Sequence, residues 1–150
     1  MIAEPPTRHA RILIAEDDPD DLFLMQRALQ QLRPDLRLAA ARDGIELFDY
    51  LCRCSADTLP QLIVVDLNMP LMDGREVLCK LHGDARYAAL PVVVMSTSVE
   101  PEDFRYAQAH GARDMLSKPE TFTEMVLRLG RLLETHLGPQ PPGGAPCPSR

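Results

Sequence analysis

No apolar stretch in this chain exceeds a handful of residues, far short of the roughly 20 needed to cross a bilayer. The opening residues MIAEPPTRHA hold no apolar signal core, so export is not expected and a cytoplasmic location is. Lys and Arg form no run, and the formal net charge is −6 with an isoelectric point near 5.1. Binding to nucleic acid through bulk charge is therefore not expected. Of the 4 cysteines, Cys52 and Cys54 form one Cys-x-Cys, and no second pair completes a zinc quartet. Without export a disulfide framework is not expected either. Free thiols are the plain reading, with redox sensing by Cys52 and Cys54 as the lesser alternative. No internal repeat is visible.

What is present suits one ordinary domain: 150 residues, 45% hydrophobic and 25% charged. Strand-like and helix-like segments alternate. Residues 11–15 read as a buried strand. Asp18 then caps a helix with Pro19 at its first position, and Leu22, Met25, Leu29 and Leu32 give it an inward stripe. Arg33-Pro34-Asp35 stops it. Residues 36–40 form a weaker strand, and Asp43-Gly44 opens a helix carrying Leu47, Phe48 and Leu51. Residues 62–65 (LIVV) are too β-branched and too uniformly apolar for a surface element.

A loop with turn-forming Pro70 and Asp73-Gly74 follows, then a helix with Val77, Leu78 and Leu81. Residues 91–95 form a fourth strand. Pro101 starts a helix that Gly111 ends, and residues 113–117 form a fifth strand. A last helix runs over residues 121–136 with Phe122, Met125, Val126, Leu129 and Leu133 on its inner face. Residues 1–9 are expected to be flexible, and the Pro/Gly-rich segment 138–150 to be a disordered tail. Five βα units with short connections predict a doubly wound α/β sheet, all parallel. With the weak second strand at an edge, the flavodoxin-like order is 2-1-3-4-5.

In such a sheet ligands bind at the carboxyl ends of the strands. There the sequence places Glu16-Asp17-Asp18, Asp66, Ser96 and Lys118. At least three carboxylates would crowd together and repel, which a hard divalent cation such as Mg²⁺ relieves. Asp17 and Asp66 are the expected direct ligands, with the Asn68 backbone carbonyl as a third and Glu16 acting through water. Asp20 and Asp21 are read as acids favoured by the helix N-terminus. Asp66 would be the nucleophile accepting a phosphoryl group, Lys118 a point charge on a phosphate oxygen, and Ser96 a hydroxyl donor to another. A plain Asp66–Lys118 salt bridge is the structural alternative. Lys118-Pro119 at a strand end suggests a cis peptide aiming the ammonium over the site.

The segments ILIAEDDPDD, VVDLNMPLMDG, VVMSTS and GARDMLSKP resemble the receiver domains of two-component response regulators. The likeness covers residues 10–136, and the start and middle segments look especially like the stand-alone regulators paired with bacterial phytochromes. The resemblance implies that a sensor histidine kinase, a bacteriophytochrome on the finer likeness, phosphorylates Asp66, and that Ser96 and Lys118 read the phosphate. It further implies that Asn68 and Ser98 tune how fast water removes it. Where most receivers carry a switching Tyr or Phe, this chain has Met115.

Phe23 and Leu24 are candidates for kinase docking. Val99, Phe104, Tyr106, Leu127 and Leu132 are candidates for a homodimer surface. The tail is too short for a DNA-binding module, so signalling by protein contact or onward phosphotransfer is expected. The alternatives are a Mg²⁺-dependent aspartyl-phosphate phosphatase, opposed by Asn68 where such enzymes want an Asp, and a flavodoxin-like cofactor binder. The acids after the first strand oppose the latter.

Overall fold

The structure is a computed structural model and describes residues 11–97 and 99–138. The expected flexible N-terminus (residues 1–9) and the expected disordered tail beyond residue 138 lie outside the described residues. Five strands, β1 (Arg11–Ala15), β2 (Arg37–Ala41), β3 (Leu62–Val65), β4 (Val92–Ser96) and β5 (Asp114–Ser117), alternate with five helices. These are α1 (Pro19–Leu32), α2 (Gly44–Arg53), α3 (Gly74–His82), α4 (Pro101–Ala109) and α5 (Phe122–Leu137). All strand pairs are parallel, in the order β2-β1-β3-β4-β5. The predicted flavodoxin-like α/β fold is the observed one.

The sheet divides the core because side chains alternate along each strand. Leu13, Ile63, Val65, Val92 and Val94 face Leu47 and Leu51 of α2, Val77, Leu78 and Leu81 of α3, and Ala107 of α4. Ile12, Ile14, Leu62, Val64, Val93 and Met95 face Met25 and Leu29 of α1 and Met125, Leu129, Leu132 and Leu133 of α5. Buried on both faces, β1, β3 and β4 had to be the most apolar segments. Four helix starts are fixed by side-chain caps. Asp18, Asp43, Asp73 and Thr121 each accept a backbone N–H from the first turn of the helix that follows. No helix among the described residues is long and apolar enough to cross a membrane.

Several sequence expectations need correction. β2 starts at Arg37, β4 runs one residue further to take in Ser96, and β5 starts at Asp114. Phe122 is exposed, because it opens α5 before the helix has turned its inner face to the sheet. Leu132, proposed for a dimer surface, is buried beside Leu133 against the sheet. Val99 and Tyr106 are partly buried against the core, whereas Phe104 and Leu127 are exposed as expected. Phe23 and Leu24 of α1 are also exposed. Cys52, Cys54 and Cys79 are free thiols.

Gly74 is required where α3 begins. A Cβ there would collide with the Asp66 carbonyl oxygen and come within 2.7 Å of Leu67 Cα, both backbone atoms that cannot step aside. Gly130, inside α5, has only the flexible tip of Leu32 at 3.4 Å. Gly74→Ala should therefore lower the urea unfolding free energy by about 1–3 kcal/mol. Gly130→Ala should raise it by about 0.5–1 kcal/mol through helix propensity. Equilibrium urea titrations of the two variants check the opposite signs.

Candidate phosphoryl and metal site

The carboxyl ends of β1, β3, β4 and β5 form one edge, and the candidate residues collect there. The Asp66 N–H donates to the Ala15 carbonyl (3.0 Å), which ties the end of β3 to β1. The Lys118 N–H donates to the Ser96 carbonyl (2.8 Å), which ties the end of β5 to β4. Backbone ladders thus fix the spacing of the chemistry before any side chain is considered.

Lys118 is the hub. Its ammonium, on a side chain only 9% exposed, lies 3.0 Å from Asp66 Oδ2, 2.8 Å from Asp21 Oδ2 and 2.8 Å from Glu16 Oε1. The contacts with Asp21 and Asp66 are hydrogen bonds. The Glu16 contact is an ion pair off the hydrogen-bond direction, since Oε1 has no well-formed hydrogen bond. Burial alone would push the ammonium toward its neutral form, but the acids Asp21, Glu16 and Asp66 outweigh it and the net shift is upward.

Glu16 is fully buried, with Oε2 accepting the Asp18 N–H (3.1 Å). Desolvation raises its carboxyl to about 7, held back by Lys118 and pushed further by the nearby charge of Asp66. Ligand oxygens of Glu16, Asp17 and Asp66 all lie within 4.8 Å of one another. Three carboxylates at that spacing, one desolvated and another exposed, suit a hard cation with several water ligands. Asp66 itself is buried, and its Oδ1 accepts the Asn68 N–H (3.1 Å). The loop after β3 therefore folds back on the carboxylate and presents its backbone to it.

Ser96 ends β4 fully buried, and its hydroxyl oxygen has no hydrogen-bond partner among the described residues. A buried hydroxyl without a partner is costly unless a ligand supplies one. Met115 packs into the apolar core on the side of α4. Ser98 lies outside the described residues. The Lys118–Pro119 bond is not cis, for the described residues contain no cis peptide. The ammonium reaches all three acids from a trans linkage.

Sequence reasoning missed Asp21. It was assigned to the helix dipole, yet it is a direct partner of Lys118. No signal in the sequence separates it from Asp20, the other acid of the same helical turn. Arg128 of α5 was also missed; it donates to the Ser117 carbonyl and hydroxyl and pins the residue beside Lys118.

A doubly wound sheet with an acid cluster, a buried Asp, a hydroxyl and a Lys at one edge defines the class of signalling receivers. The family model described as response regulator receiver domain matches residues 12–130, and the chain belongs to that family of two-component signalling proteins. It is 34% identical over 129 residues to the probable methanogenesis regulatory protein FilR2 of Methanothrix harundinacea, covering 85% of this chain and 83% of that one. The crystal structure of the phosphorylated cyanobacterial phytochrome response regulator RcpA superposes with a TM-score of 0.79 at 30% identity, covering 86% of this chain and 94% of that one. The Mn²⁺-bound form of response regulator Rcp1 gives 0.74 at 28% identity, covering 83% and 92%. Against some longer regulatory relatives the chain spans 49% of the relative's length.

The donor set predicts that Mg²⁺ raises thermal stability, by about 2.7 kcal/mol at a hundred times the dissociation constant. Asp17→Asn should weaken Mg²⁺ binding about tenfold or more. Calorimetric titration and melting curves with and without Mg²⁺ measure both effects; equal affinity in the variant would remove Asp17 from the ligand set.

Proposed function

We propose that this protein accepts a phosphoryl group on Asp66 from a sensor histidine kinase and signals through contacts that the modification controls. The observation that carries the reading is the Lys118 ammonium 3.0 Å from a buried Asp66 carboxylate, beside a buried Ser96 hydroxyl without a partner among the described residues. A plain salt bridge would account for Asp66 and Lys118 but leaves Ser96 and the acids at 16 and 17 unexplained.

In the transfer, an Asp66 carboxylate oxygen forms a bond to phosphorus while the phosphorus–nitrogen bond of the donor phosphohistidine breaks. The imidazole nitrogen keeps the bonding pair. Asp17, Asp66 and the Asn68 backbone carbonyl would hold Mg²⁺, with Glu16 through water. The ion, when bound, neutralises the negative charge gathering on the phosphoryl oxygens. Lys118 holds one phosphoryl oxygen as a point charge and Ser96 donates to another. On the family resemblance, Asn68 and Ser98 tune how fast water removes the phosphoryl group. Met115 stands where the resemblance expects an aromatic switch.

The partner kinase is a bacteriophytochrome on this reading, supported by the likeness to RcpA and Rcp1. Phe23 and Leu24 lie exposed on α1 for docking, and Phe104 and Leu127 are exposed for a second copy. The output is a protein contact or onward phosphotransfer in the cytoplasm, with intrinsic autophosphorylation and autodephosphorylation as its only catalysis.

With Mg²⁺ and acetyl phosphate, intact mass should show one phosphoryl adduct, lost on chelation of the metal and in Asp66→Asn. An adduct that survives the substitution would place the acceptor elsewhere.

A further inference from the structure

We propose that Asp21 is a positioning residue that restrains Lys118 in the resting protein and must release it when Asp66 is phosphorylated. The inference rests on the reading of Asp66 as the phosphoacceptor.

An ammonium has three N–H bonds to give. In this protein three carboxylate oxygens surround Lys118 Nζ, from Glu16, Asp21 and Asp66, all within 3.0 Å. Two N–H bonds go to Asp21 and Asp66 and Glu16 Oε1 closes the third side at 2.8 Å, so a phosphoryl oxygen arriving at Asp66 has to displace one of the three. Glu16 is a poor candidate to yield, being fully buried and held through its other oxygen by the Asp18 N–H. Asp66 carries the incoming group and keeps Lys118 beside it.

Asp21 differs from both. Its side chain is 32% exposed, so water can replace Lys118 with a small desolvation penalty. It also sits in the first turn of α1, where the helix N-terminus stabilises an unpaired carboxylate. The Asp21 arm is therefore the one that gives way. It holds Lys118 by competition with the phosphoryl group and ties the start of α1 to the end of β5 until the exchange occurs. Asp21→Asn removes the competitor and leaves Glu16 and Asp66 to hold the ammonium.

Asp20 supplies the control. It is the other first-turn acid of α1, is exposed, and forms no ion pair with Lys118. Its replacement changes net charge and helix dipole as Asp21→Asn does. The full chain, wild type and both variants, is titrated with beryllofluoride at saturating Mg²⁺ by calorimetry. Phosphorylation by phosphoramidate is then timed by intact mass; there the Asp66 oxygen bonds to phosphorus as ammonia leaves with the electrons of the broken phosphorus–nitrogen bond.

Asp21→Asn should bind beryllofluoride about three- to fivefold more tightly than wild type, the range that a partly screened ion pair supports. It should also be phosphorylated faster, while its Mg²⁺ affinity stays within about twofold of that of Asp20→Asn. A merely structural role would instead weaken Mg²⁺ and beryllofluoride together. Asp21→Ser makes the same comparison should Asp21→Asn not fold. Equal beryllofluoride affinity in wild type and Asp21→Asn, or an equal gain in Asp20→Asn, overturns the inference and leaves the phosphoacceptor reading standing. A wild-type protein that gains no phosphoryl group overturns both.

Discussion

One buried ammonium organises the business end of this protein. Lys118 stands at the end of β5 and draws in carboxylates from the end of β1, the first turn of α1 and the end of β3. A like-charged group of acids at that density would repel itself, and burial, with a smaller push from the Asp66 charge, raises the carboxyl of Glu16. Without the ammonium, Glu16 would be a fully buried charge without a counterion, a costly arrangement. The site is thus held together by one cation and remains short of positive charge. That deficit makes the same pocket suited to a divalent ion.

The sheet is what makes a single lysine sufficient. Parallel strands deliver their last residues to a common edge, and the backbone bonds from Asp66 to Ala15 and from Lys118 to Ser96 set the separations. The loop after β3 then has to turn sharply beside Asp66. Gly74 permits that turn because any side chain there would meet the Asp66 carbonyl. Asp73 caps α3 at the same point, so the loop that follows the Asp66 carboxylate is anchored at its far end too. Stability and chemistry share these residues, and a change at Gly74 or Asp73 acts on both.

Much of this was legible before any coordinates. The apolar strands, the Asp-capped helices and the strand order followed from periodicity and from the right-handed crossover rule. Glu16, Asp17, Asp66 and Lys118 were legible because each ends an apolar run. Asp21 was not, because a first-turn acid already has a sufficient local explanation and nothing in one sequence says which way it turns. Phe122 and Leu132 were misplaced for a related reason. A stripe at helical spacing locates a face to within a residue or so, and α5 rotates just enough to expose the first and bury the second. The expected cis bond at Pro119 came from the need to aim an ammonium, but a four-carbon side chain meets that need from a trans peptide.

The far side of the site shows how its geometry reaches the surface. Arg75 follows Gly74 directly and pairs with Asp103 of α4, while the Tyr106 hydroxyl donates to the Arg75 carbonyl (3.1 Å). The start of α3, next to Asp66, is therefore bolted to α4 by one ion pair and one hydrogen bond. On its other flank α4 meets β5. A cavity of about 80 Å³ lies there among Phe104, Ala107, Gln108, Ala112 and Met115. Met115 sets an unbranched, flexible thioether beside that open volume.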